Sequence, residues 1–311
     1  MNLMETLYIT HPSGWLHEMG PYHPECPQRL GAVSDQLLAS GLMTCLREMQ
    51  AGPASDEALA SVHDPAYIAR LRDITPSEGY VRLDQDTQIN PYTFNAARHA
   101  AGAGIAAVDA VMGGDESHVA FCAVRPPGHH ALPDQAMGFC FFNNIAVAAR
   151  HALDAHGLER VAIIDFDVHH GNGTEAMFAG DGRVLMCGFY QEALFPHRGE
   201  APQAPNMCNV PLPPCSGGDA VRELVETQWL PRLEAHRPQL LLISAGFDAH
   251  REDDMGGMKL TEADFAWLTR VLVDVADRYA QGRIVSMLEG GYELSSLGRS
   301  VVAHVRALSK L

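Results

Sequence analysis

The chain has 311 residues, enough for one large α/β domain with a substantial core. Hydrophobic residues make up 47% and charged residues 19%, which excludes a disordered chain. The net charge of −16 argues against a general binder of nucleic-acid backbones, which needs clustered Lys and Arg, and is compatible with cationic substrates.

The elements alternate along the chain. An Ala-rich stretch predicts a helix over 94–112, and an apolar run predicts a strand over 119–124. A helix over 143–155 and strands over 161–166 and 184–189 follow. An amphipathic pattern predicts a helix over 219–236, and a strand is expected at 240–245. Thr261 is a capping-type residue opening a helix over 261–280, and a last strand is expected at 284–288. Strands alternating with helices imply an α/β fold whose central, mainly parallel β-sheet is flanked by helices on both faces. No repeat or low-complexity linker divides the chain, so residues 1–311 are expected to form a single domain.

The seven cysteines, Cys26, Cys45, Cys122, Cys140, Cys187, Cys208 and Cys215, form no CxxC pair. That predicts a reduced, cytoplasmic setting rather than a disulfide scaffold. The opening residues show no signal-peptide pattern, and no apolar stretch reaches the roughly 20 residues of a membrane span. Neither a membrane nor a nucleic acid is therefore an expected partner.

The chemically distinctive residues sit just after strand candidates. In open α/β sheets the ligand crevice lies at the carboxyl ends of the strands, so these loops are expected to converge. The richest segment is Asp165-Phe166-Asp167-Val168-His169-His170-Gly171-Asn172-Gly173. In an extended chain Asp165, Asp167 and His169 share a face. A carboxylate and an imidazole two residues apart can hold one cation, and Asp248 offers a third ligand of the kind zinc takes. The same residues could instead form a structural hydrogen-bond network. Arg125-Pro126-Pro127-Gly128-His129-His130 is a rigid turn presenting paired imidazoles, suited to proton transfer beside a metal. Glu289-Gly290-Gly291-Tyr292 places an aromatic hydroxyl after a flexible turn, where it can donate to a developing oxyanion. Standing alone, that Tyr would read as a core residue.

Taken in order, RPPGHHA at 125–131, GFCFFNN at 138–144, DFDVHHGNGT at 165–174, GFDAH at 246–250 and EGGY at 289–292 resemble the zinc-dependent histone deacetylase family. That family includes acetylpolyamine amidohydrolases and has an arginase-like α/β fold. The resemblance spans nearly the whole chain, and the GNG form after the double histidine is closer to the class II branch and bacterial deacetylase-like amidohydrolases.

The resemblance implies one Zn²⁺ per subunit on Asp167, His169 and Asp248. His130 would be general base and then acid, with His129 beside it and Asp165 orienting His129. Tyr292 would polarise the amide carbonyl. Phe139 and Phe195 would wall a narrow channel, Gly138 would contact the acyl chain through its backbone, and Gly290 would belong to the same substrate site. Asp86 falls at the family's rim aspartate and Arg29 at its acetate-cavity arginine. A structural K⁺ is implied near Asp165, with main-chain oxygens of Asp167 and His169. Where the family commonly has Ser-Leu-His on the next strand, this chain has Gly188-Phe189-Tyr190, so one hydroxyl ligand is missing. Asn172 stands where class I members have Asp, which predicts a less basic His130.

The implied reaction is hydrolysis of an ε-N-acyl-lysine amide in a protein or peptide. The alternative substrate is an acetylpolyamine or other small acetylated amine. Polyamine-selective relatives carry a gatekeeper Glu where this chain has Met255, although Glu252, Asp253 and Asp254 lie close by. A homo-oligomer would bear on that choice. A non-catalytic binding module would have lost a ligand, the base or the Tyr, and none is lost. An arginase-like ureohydrolase would want a two-manganese site richer in carboxylates. The loop His17–His23 could shape the channel mouth or be a solvated loop. His63, His99, His151 and His236 read as ordinary surface or helix histidines, and Cys140 as a packed thiol next to Phe139.

Overall fold

The computed structural model describes residues 5–113, 117–197 and 202–311. The chain runs through β1 (Thr6–Thr10), α1 (Gln28–Ala39), β2 (Leu46–Gln50), α2 (Asp56–Ala60), α3 (Pro65–Asp73) and a hairpin of β3 (Val81–Arg82) with β4 (Gln88–Ile89). Then come α4 (Thr93–Met112), β5 (Val119–Cys122), α5 (Asn144–Asp154), β6 (Val161–Asp165), α6 (Asn172–Phe178), β7 (Val184–Gln191) and β8 (Met207–Leu212). The last part is α7 (Gly218–Leu224), α8 (Leu230–His236), β9 (Leu240–Ala245), α9 (Glu262–Tyr279), β10 (Ile284–Leu288) and α10 (Leu294–Leu308).

Eight strands form one sheet in the order β2-β1-β5-β10-β9-β6-β7-β8, and every pairing is parallel. Side chains alternate across it, so each inner strand feeds two cores. Tyr8, Phe121, Ile164 and Ile243 pack on one face with Leu30 and Val33 of α1, Phe265 and Leu272 of α9, and Val301 of α10. Leu7, Ala120, Ile163 and Leu242 pack on the other with the small residues of α4 and α5. Both faces are covered, as the continuous apolar runs of β5, β6, β9 and β10 require. A third cluster, with Leu59, Tyr67, Ile68, Phe141 and Phe142, packs α2, α3 and the β3–β4 hairpin beside the sheet.

Local signals explain most helix ends. Asn143 caps α5, its side chain accepting from the Ala146 N–H, so the helix starts one residue later than the pattern predicts. Thr261 and Asp264 form a reciprocal capping box at α9. The helix expected over 219–236 is interrupted by a π-helical turn at Val225–Trp229. Pro231 follows it in the first turn of α8 and has no N–H to bond back into the preceding turn, so a widened turn ahead of it accommodates the loss.

Candidate metal centre and acyl-binding channel

The four motif-bearing loops follow β5, β10, β9 and β6, which are the four neighbouring strands at the centre of the sheet. Their carboxyl ends therefore open on one crevice. The backbone there is packed against charged groups. A Cβ on Gly290 would fall 2.1 Å from Asp248 Oδ2 and 2.6 Å from Asp167 Oδ2, so no side chain fits at that position.

Asp167, His169 and Asp248 are buried, and one donor atom from each lies within 4.8 Å of the others. His169 Nδ1 is 3.0 Å from Asp167 Oδ1 and 3.1 Å from Asp248 Oδ2. Backbone N–H groups fix both carboxylates: Gly290 donates to Asp167 Oδ2 at 2.8 Å and Val168 to Asp248 Oδ1 at 2.9 Å. Burial opposes a charge on His169, but its two carboxylate partners push it up to about 10. Burial first, and Asp167 second, push Asp248 up to about 7. The donor set thus concentrates negative charge in a dry place and suits one cation with nitrogen and oxygen ligands.

Beside it, the rings of His129 and His130 lie against each other at a 41° tilt, with centroids 4.0 Å apart. His129 Nδ1 donates to Asp165 Oδ2 at 3.0 Å, and His130 Nδ1 to Asn172 Oδ1 at 2.8 Å. The two rings are driven in opposite directions. Burial lowers His129, but Asp165 and Asp167 overcome it and hold the ring well above its usual value. Burial, then His129 and His169, hold His130 well below. Glu289, which the sequence offers only as the first letter of a motif, accepts from the Gly128 and His129 N–H groups at 2.7 and 3.1 Å. It ties the loop after β5 to the loop after β10.

Tyr292 is anchored from two sides. Arg29 Nε donates to Gly291 O at 2.6 Å, and its guanidinium lies 5.0 Å from the centre of the Tyr292 ring. Arg29 is itself held by Glu25, a fully buried carboxylate that also takes Arg125 and lies 3.3 Å from His17 Nε2. On the other side Asp253 Oδ2 accepts from the N–H groups of Tyr292 at 2.6 Å and Glu293 at 3.0 Å. Burial, then Asp248, raise the Tyr292 phenol well above its usual value, so it stays a hydrogen-bond donor.

A cavity lined by Asp86, His130, Gly138, Phe139, His169, Phe195, Met255 and Tyr292 leads to these groups. Gly138 and Phe139 both have positive φ, 54° and 67°, and a Cβ on Gly138 would strike the His130 ring at 2.5 Å. Phe139 meets Tyr292 edge-on at 5.9 Å, and Phe195 meets His130 edge-on at 5.0 Å. The loop His17–His23 reaches the mouth: the His23 ring is 4.6 Å from Phe139, and its Nε2 is 2.9 Å from Asp86 O. The structure therefore brings Asp86, Met255, Gly138, Phe139 and Phe195 to one opening, while Gly290 sits behind it against the carboxylates.

Other expectations need correction. Asp253 is turned inward and Glu252 is paired with Arg299 at 2.6 Å, so neither supplies an acidic gate; Asp254 is exposed. His63 is not an ordinary surface residue. It is buried, its Nδ1 facing Leu132 O and its Nε2 accepting from the Asn143 N–H. His99 is also largely buried, stacked 3.6 Å from His11. Cys140 is the packed thiol that the sequence predicts, fully buried and raised well above its usual value by burial first.

A family model described as the histone deacetylase domain matches residues 23–308, which hold the Asp167–His169–Asp248 cluster, the paired histidines, Tyr292 and the lining of the cavity. The chain belongs to the histone deacetylase family. This histone deacetylase-family chain is 43% identical over 277 residues to the histone deacetylase-like amidohydrolase of Pseudomonas aeruginosa, covering 87% of itself and 72% of that protein. It is 38% identical over 308 residues to the Homo sapiens protein named polyamine deacetylase HDAC10, covering 92% of itself and 45% of that protein. It superposes on the solved HD domain of HDA15 with a TM-score of 0.92 at 32% identity, covering 99% of this chain and 89% of that one. Among the described residues, no helix is long and apolar enough to cross a membrane.

Proposed function

We propose that the chain is a zinc-dependent amidohydrolase that removes acetyl or other acyl groups from ε-N-acyl-lysine in proteins or peptides. The observation that carries this reading is the cavity itself. Two phenylalanines, Phe139 and Phe195, flank a path that ends at His130, His169 and Tyr292. A slender alkyl chain fits between such walls, with its amide at the polar end.

Asp167, His169 and Asp248 would hold the zinc, which when bound supplies a Lewis acid and a water of lowered pKa. The remaining steps belong to the chain. Asn172 Oδ1 accepts a hydrogen bond from the Nδ1–H of His130, leaving Nε2 as its basic atom. Because burial and two imidazole neighbours keep His130 unprotonated, Nε2 accepts a proton from the attacking water and returns it to the leaving amine nitrogen. His129, paired with Asp165, carries the neighbouring positive charge. Tyr292, held neutral, donates to the carbonyl oxygen as charge develops there. Asp86 and the backbone of Gly138 at the mouth would hold the substrate main chain and acyl chain.

A potassium ion fits behind Asp165. Gly188 pairs with Asn209 on the adjacent strand, and the Asn209 amide oxygen is buried with no hydrogen-bond partner among the described residues. It lies 2.7 Å from where a Gly188 Cβ would stand, and Asp165 O is 3.4 Å from the same point. Asn209 Oδ1 occupies the gap left by the absent hydroxyl and would serve as the replacement ligand.

Steady-state rates on acetyl-lysine peptides, N-acetylputrescine and N8-acetylspermidine test the substrate assignment. The reading expects kcat/KM at least tenfold higher on a peptide. Higher kcat/KM on the polyamines would overturn it in favour of a small-amine hydrolase, a reading that Met255 in place of an acidic gate disfavours.

A further inference from the structure

The C-terminal ends of α4 and α5 lie side by side, because small residues such as Gly104 and Ala148 let these helices approach closely. Three side chains meet there. Asp109 is in the last turn of α4, His151 is in the last turn of α5, and His156 lies just past the end of α5. The two imidazoles aim the same atom at the same carboxylate oxygen: His151 Nε2 is 2.6 Å and His156 Nε2 2.8 Å from Asp109 Oδ1. The rings stand nearly perpendicular, at 80°, with centroids 5.4 Å apart. The three donor atoms lie within 4.8 Å of one another.

Two imidazole nitrogens and one carboxylate oxygen form the ligand set that zinc and its borderline neighbours take, and that magnesium and calcium do not. With zinc bonds of about 2.0–2.2 Å, tetrahedral donors stand roughly 3.4 Å apart. The present hydrogen-bonded donors would need to spread by less than about 1 Å. Asp109 has room for that movement, since its side chain is 54% exposed; those of His151 and His156 are each 23% exposed. The fourth position faces solvent. Each imidazole would move its proton from Nε2 to Nδ1, so binding to neutral rings releases no net proton. The local field also favours a cation. Glu57 and Asp154 line the same surface cleft, two helix C-termini converge on it, and the nearby Arg150 is turned to Asp181 at 3.6 Å.

We propose that Asp109, His151 and His156 form a second, non-catalytic site for a zinc-class divalent cation that clamps the ends of α4 and α5. It shares no residue with the buried Asp167–His169–Asp248 cluster. This site accounts for His151, which by sequence alone reads as an ordinary helix histidine.

The test is a zinc titration of chelator-stripped protein against a chromophoric competitor, with acetyl-lysine peptide turnover measured in parallel. The wild type is expected to take two zinc ions per chain. His151→Gln/His156→Gln is expected to take one and keep wild-type turnover once that ion is bound. Asp248→Ala is expected to lose turnover and still take one ion, which separates the two sites. His156→Asn alone, outside the helix, should weaken the second ion at least tenfold and guards against a folding defect in the double variant. Equal zinc numbers in the wild type and in the folded histidine variants would overturn the proposal.

Discussion

His130 Nδ1 donates to Asn172 Oδ1 at 2.8 Å, whereas its neighbour His129 Nδ1 donates to the carboxylate of Asp165 at 3.0 Å. Two adjacent imidazoles therefore have an amide behind one and a charge behind the other. An amide fixes the tautomer of His130 but does little to stabilise its protonated form. Asn172→Asp is expected to raise the pKa of His130. A general base works unprotonated, so turnover falls as pH drops through that pKa, and the substitution should move the acidic limb of the pH–rate profile to higher pH. An acidic limb in the same place would count against His130 as the base.

In the proposed reaction Tyr292 would donate to the carbonyl oxygen only as charge develops. Removing one such donor costs about 10²–10³-fold in kcat. Tyr292→Phe should lose that much while keeping its zinc and its KM within a few-fold, and near-normal kcat would remove the residue from the mechanism. On the same reading Asp253 would act through Tyr292 as a positioning residue. Asp253→Ala frees the Tyr292 and Glu293 N–H groups and should lower kcat by roughly 10–100-fold with zinc content unchanged. Partial recovery in Asp253→Asn, which keeps one acceptor, would separate positioning from a general folding loss.

Glu25 is fully buried between Arg29 and Arg125. Breaking a buried ion pair costs about 3–5 kcal/mol because the partner charge is left uncompensated. Glu25→Gln strands two guanidiniums and should lower Tm by roughly 6–10 °C, at about 2 °C per kcal/mol for a chain of this size. A scanning-calorimetry Tm within a degree of wild type would mean that solvent already reaches the pair.

If Asn209 Oδ1 replaces a hydroxyl as a potassium ligand, wild-type Tm should rise in KCl relative to tetramethylammonium chloride at equal ionic strength. Asn209→Ala should lose that response, and Gly188→Ser added to it should restore it. A potassium response that survives in Asn209→Ala alone would show that main-chain oxygens suffice.

The central strands are legible in the sequence because they are buried on both faces and read as unbroken apolar runs. The edges are not. β2 reads LREMQ, with only Leu46 and Met49 half-buried and the rest exposed, and β8 carries Pro211, tolerated because β8 is the last strand of the sheet. β1 has a run of only five residues near the start of the chain, and α10 begins in a Ser- and Gly-containing stretch after the glycine turn. In the site, residues carried by local motifs stand where strand-end convergence places them. The roles of Glu25, Asp253, Glu289 and Asn209 are not legible in the sequence, because each depends on at least one partner far away along the chain. Glu25 meets Arg125 across 100 positions, and Asp253 meets Tyr292 across 39. No spacing rule reports such pairs. A buried carboxylate in a sequence gives a weak signal until its partners are seen.

The most direct test is turnover of an acetyl-lysine peptide by chelator-stripped protein, reloaded stepwise with zinc, alongside Asp167→Asn and Asp248→Ala. The expected result is no turnover without metal, full recovery with the first equivalent because the buried three-ligand cluster fills first, and no recovery in either variant. Full turnover in the stripped protein, or recovery in Asp248→Ala, would contradict the assignment of Asp167, His169 and Asp248 as the catalytic metal centre.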